Sequence, residues 1–79
     1  MTIPEDEIEK TLINLISSKI GKKPEEIDAS TGFIDMGLKS LAMIEVIESL
    51  EQKFGELPPT LLFDYPNIEA VAEWISTNK

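Results

Sequence analysis

Between Ser40 and Phe54 the apolar residues Met43, Val46, Ile47, Leu50 and Phe54 recur at the spacing of an α-helix with one buried face. The same period returns in Ile8, Leu12, Leu15 and Ile16 and again in Ile68, Val71, Ala72 and Ile75. No alternating pattern competes, although Thr60-Leu61-Leu62-Phe63 read alone would pass for a short strand. A chain patterned this way must bury helix against helix.

Punctuation places the elements. Pro4 suits a first helical turn, and Glu5, Asp6 and Glu7 follow where the helix dipole favours negative charge; Gly21 ends a helix expected over residues 4–20. A connection over residues 21–38 comes next, long enough to carry a function or a short turn, with Pro24-Glu25-Glu26-Ile27 as the candidate turn. Ile27, Phe33, Ile34 and Leu38 are its candidate anchors in the core. The second helix is expected over Ser40–Phe54, before Gly55. A short segment, Leu61–Asp64, is capped by Thr60. Tyr65-Pro66 interrupts, and Asn67 caps a last helix. The expected fold is all-α: a small four-helix bundle, three main helices and one short one, forming a single domain over residues 1–79.

Charge and composition exclude several functions. Fifteen acidic residues face seven lysines, with no arginine or histidine, for a net charge of −8. Nucleic acid would be repelled, anionic membranes are disfavoured, and a basic protein partner would be steered inward. No apolar run is long enough to span a bilayer, and no signal segment stands at the N-terminus. Without cysteine there is no disulfide, no thiolate metal site and no cysteine nucleophile, which fits a reducing cytoplasm. The acidic stretch EEIDASTGFIDMG lacks the alternating oxygen ligands of a calcium loop, so no metal site is expected.

Helix two carries a second face. Leu41 and Ile44 lie off the core stripe and share their side with Glu45, Glu48, Glu51 and Gln52. These two aliphatics either tuck under the long connection or form a docking surface, with apolar anchors for affinity and carboxylates for steering. Ser40 has three readings. As an N-cap its loss would cost about 0.5–2 kcal/mol, although Met43 at the third position gives no capping box. As a nucleophile it lacks a base, since adjacent Lys39 points elsewhere on a helix. As a phosphate-ester site it suits the physics, because free N–H groups and the dipole at a helix start favour an anion. Gly37 leaves the preceding turn open to another protein's active site.

Asp35-Met36-Gly37-Leu38-Lys39-Ser40-Leu41 resembles the phosphopantetheine attachment motif of acyl and peptidyl carrier proteins, D-x-G-x-D/H-S-L. TGFIDMGL resembles the loop that leads into that serine, and LFDYPNIEAVAEWI resembles the segment that follows it in polyketide and peptide synthetase carriers. The likeness implies a non-catalytic acyl carrier, most like the polyketide synthase type. Ser40 would take a 4′-phosphopantetheine from coenzyme A, installed by a phosphopantetheinyl transferase, and the cofactor's thiol would hold acyl intermediates as thioesters. The motif residues are Asp35, Gly37, Leu38, Lys39 and Leu41; Lys39 departs from the family's usual Asp or His. The family's recognition helix maps Leu41, Ile44, Glu45, Glu48 and Glu51 onto partner docking, with Phe63 added from the short helix. Partners implied are the transferase, then an acyltransferase, a ketosynthase or other pathway enzymes with basic docking surfaces, met by a cytoplasmic monomer. Alternatives are a peptidyl carrier of a non-ribosomal peptide synthetase, or a helical interaction module that binds without a cofactor.

Overall fold

A computed structural model describes residues 2–79. Its four helices are α1 (Glu5–Ile20), α2 (Ser40–Phe54), α3 (Leu61–Asp64) and α4 (Ile68–Asn78), with a 3-10 turn at Pro24–Glu26 inside the long connection. No strand forms among the described residues, and Thr60-Leu61-Leu62-Phe63 is helical from Leu61. α1 packs on α4 and α2, while α3 packs on α2.

The stripes meet in one core. Ile8, Leu12 and Ile16 of α1, Met43, Val46, Ile47 and Leu50 of α2, Leu61 and Leu62 of α3, and Ile68, Val71, Ala72 and Ile75 of α4 are all buried. Leu57, between α2 and α3, joins them. Leu15 and Phe54, expected on the inner faces, are only partly buried at the core margin. Each fully buried aliphatic contributes about 1.5–3 kcal/mol of transfer free energy, so packing among the stripes, more than propensity, holds these short helices. Ser76 Oγ donates to the Ile3 carbonyl at 2.7 Å, which ties the chain's start to α4.

Two caps differ from expectation. Thr60 does not cap α3 through its side chain; its hydroxyl donates to the Asp64 carboxylate at 2.8 Å. Ser40 is not the N-cap of α2 either. Lys39 holds the capping position in extended conformation, without a side-chain cap, and Ser40 is the first helical residue. Asn67 does cap α4, its Oδ1 accepting from Ala70 N at 2.8 Å.

The long connection is anchored at both ends of its path. Phe33 and Leu38 are buried, Ile27 is half-buried, and Ile34, expected inside, is 69% exposed. The two are consecutive in the turn at 33–37, where Phe33 takes the place in the core and Ile34 is left at the surface. Backbone bonds clasp this segment to the start of α4. Phe33 N donates to the Pro66 carbonyl at 2.9 Å and Glu69 N to the Ala29 carbonyl at 3.1 Å. Asn67 Nδ2 adds a longer bond, 3.4 Å, to the Ser30 carbonyl. The path into Ser40 is therefore set by α4, which follows it by some thirty residues.

Candidate functional site

Ser40 is positioned by what precedes it. Met36 N donates to the Gly32 carbonyl at 3.0 Å, Gly37 N to Ile34 at 3.1 Å, and Leu38 N to Phe33 at 3.0 Å, which rolls the chain into a compact turn. Gly37 sits at φ +96°, where a side chain would be strained, and open space surrounds its Cα. Leu38 is buried immediately after and nails the turn down, so Lys39 and Ser40 emerge exposed at the start of α2. Among the described residues the Ser40 hydroxyl makes no side-chain hydrogen bond. It stands beside the first free N–H groups of a fifteen-residue helix.

The off-core face of α2 is open. Leu41 is 70% exposed and Ile44 44%, so neither tucks under the connection. Glu48 is exposed beside them. The other two carboxylates are engaged: Glu45 Oε1 pairs with Lys19 Nζ of α1 at 2.9 Å, and Glu51 Oε2 accepts from Leu57 N at 3.1 Å. Glu51 is half-buried, and its bond braces the connection to α3. These two contacts also orient the helix. Glu45 marks the α1 flank and Glu51 the α3 flank, and Ser40 falls on the line of Ile44, Ile47 and Glu51, towards α3.

On that α3 flank lies a groove of about 230 Å3, lined by Phe33, Ile34, Asp35, Met43, Leu62 and Phe63 among others. Phe63, 47% exposed, lines it together with Ile34. Thus Asp35 and Phe63 share the groove with Met43 of α2, whereas Glu45 belongs to the other flank. Sequence reasoning missed Ile34 as a surface residue. Its place beside Phe33 in a glycine-flanked turn carries no period that would mark which of the two is exposed.

A family profile described as the phosphopantetheine attachment site matches residues 10–75. The chain belongs to the phosphopantetheine-binding carrier family. Such a domain is where 4′-phosphopantetheine is attached covalently. Relatives lie in polyketide synthases: the chain is 37% identical over 71 residues, 89% of its length, to polyketide synthase PksL of Bacillus subtilis. It is 38% identical over 79 aligned positions, 92% of its length, to mycoketide-CoA synthase of Mycobacterium tuberculosis. The chain spans about 2% of the length of each of these curated relatives. Among solved structures, a free-standing peptidyl carrier protein from an Acinetobacter baumannii secondary metabolic pathway superposes with TM-score 0.87 at 32% identity, covering 92% of both chains. The HMG-ACPI domain of the CurA module from Lyngbya majuscula gives 0.85 at 25% identity, over 96% of this chain and 78% of that one. The all-helical carrier fold and the likeness to polyketide synthase carriers expected from the heptad and tail segments are borne out.

Proposed function

We propose that residues 1–79 form a single carrier domain that holds acyl intermediates for a polyketide-type synthase, with Ser40 as the attachment residue. One observation carries the assignment to Ser40: within the matched region, its hydroxyl is exposed, uncommitted and set at a helix N-terminus behind an open glycine turn. The residues fit the cofactor. A phosphodiester on Ser40 Oγ would meet the free N–H groups of α2, and the groove of Ile34, Met43 and Phe63 is apolar enough to shelter the first part of an arm. When bound, the cofactor supplies the thiol that carries cargo as a thioester. The chain's own share is to present the serine, orient the arm towards α3 and offer a docking face; it performs no catalysis itself.

In this reading Leu41, Ile44 and Phe63 are apolar anchors for partner enzymes, and exposed Glu48 steers basic surfaces on the transferase, acyltransferase or ketosynthase. Glu45 serves as a weaker steering charge because Lys19 half-neutralises it, and Glu51 acts by holding the α2–α3 connection. The setting proposed is the cytoplasm; among the described residues no helix is long and apolar enough to cross a membrane. The likeness to a free-standing peptidyl carrier supports aminoacyl cargo as the second reading.

The location of the arm is the test. Trypsin cuts after Lys39 and Lys53, so Ser40 begins its own peptide, with Ser49 as that peptide's other serine. After treatment with coenzyme A, magnesium and a broad-specificity transferase, tandem mass spectra should place the added group on Ser40. An arm on Ser49 or on another peptide would overturn the assignment.

A further inference from the structure

The flank of α2 opposite the proposed arm is chemically distinct. A groove of about 290 Å3 opens between the end of α1, the turn at 33–37 and the first turn of α2. Lys19, Lys22 and Lys39 line it together with Met36, Gly37 and Ala42, and no carboxylate does. Three of the seven lysines of a chain with net charge −8 thus converge on one concavity. Lys19 is held by Glu45 at 2.9 Å, but Lys22 and Lys39 are exposed and enter no salt bridge among the described residues. Gly37 keeps one wall free of side chain, which admits a backbone or a carboxylate to close range.

The charge pattern selects the occupant. Repulsion from fifteen acidic residues keeps anions away from most of this surface, so Lys22 and Lys39, gathered in one groove beside the Lys19–Glu45 pair, form a local attractive well. We infer that this groove docks a carboxylate-bearing segment of a partner protein, adjacent to the acidic stripe of α2. The face around Ser40 is then two-signed: Lys22 and Lys39 on the α1 flank, Glu48 at the centre, apolar Ile34 and Phe63 on the α3 flank. A two-signed face fixes the orientation of a partner, where a single-signed one only attracts it; a wrongly turned partner meets like charge. This inference stands on the unmodified protein and does not depend on Ser40 carrying a cofactor.

Amide spectra of isotope-labelled apo protein test it, with a blocked hexaglutamate peptide as probe at low salt. Saturable shifts should appear at Lys22, Gly37, Lys39 and Ala42. They should persist in Lys53→Glu/Lys79→Glu, a control of equal charge change far along the chain, and affinity should fall about tenfold in Lys22→Glu/Lys39→Glu. Four results would overturn the proposal. The shifts are absent or scattered; chloride of matched ionic strength reproduces them; the two double variants lose affinity equally; or inorganic phosphate saturates the same amides as tightly, which makes the groove a small-anion site. Concentration-dependent shifts without peptide would replace the partner by a second copy of this chain.

Discussion

Asn67→Ala probes whether α4 holds the path into Ser40. Two bonds are lost. The Oδ1 cap on Ala70 N, at 2.8 Å, is of the kind whose removal costs about 0.5–2 kcal/mol. The Nδ2 bond to the Ser30 carbonyl is long at 3.4 Å and exposed, so it adds at most about 0.5 kcal/mol. The sum is about 1.5 kcal/mol, set against a stability of about 4–12 kcal/mol for a domain of this size. The melting temperature should fall by about 6–12 °C. Asn67→Asp separates the two bonds, because it keeps the acceptor and places negative charge at a helix start while losing the donor to Ser30. It should stay within about 0.5 kcal/mol of wild type in urea titrations. The reasoning is refuted if Asn67→Ala melts like wild type, or if Asn67→Asp loses as much as Asn67→Ala.

Other outcomes follow from single residues. Ser40→Ala should change stability by no more than about 0.5 kcal/mol in urea, since Ser40 is exposed and caps nothing; a larger loss would show a structural role. Gly37→Ala should cost about 1–2 kcal/mol through backbone strain at φ +96° alone, because the space around it is open; a neutral melt would contradict that. Glu9 is held above its ordinary pKa of 4.5 by burial first and then by Glu69, Asp6 and Glu5. A carboxyl raised on folding weakens the fold as pH rises through 4.5 and its folded value, and the penalty is full above both. Glu9→Gln should therefore be at least as stable as wild type near neutrality, with the difference vanishing below pH 4.5; an advantage that grows as pH falls would reverse the sign.

The helices were legible because each buries one stripe, and a stripe leaves a period in the sequence. α2, α3 and the cap of α4 fall where spacing, Gly55, Pro66 and Asn67 put them. Ser40 and Thr60 misled because a hydroxyl before a helix looks the same whether it caps, starts the helix or bonds elsewhere; only backbone conformation decides. Ile34 misled because a turn has no period, so hydrophobicity alone cannot say which of two neighbours is buried. Leu41 and Ile44 stood out as misplaced aliphatics, but their exposure required knowing that the connection runs towards α4 rather than over α2. The lysine groove was illegible for the same reason: Lys19, Lys22 and Lys39 meet only through the packing of α1 on α2.

The most direct test of the account is intact mass before and after incubation with coenzyme A, magnesium and a broad-specificity phosphopantetheinyl transferase, with Ser40→Ala alongside. Wild type should gain one phosphopantetheine and the variant none. A gain on Ser40→Ala, or none on wild type even as Lys39→Asp, would contradict attachment at Ser40.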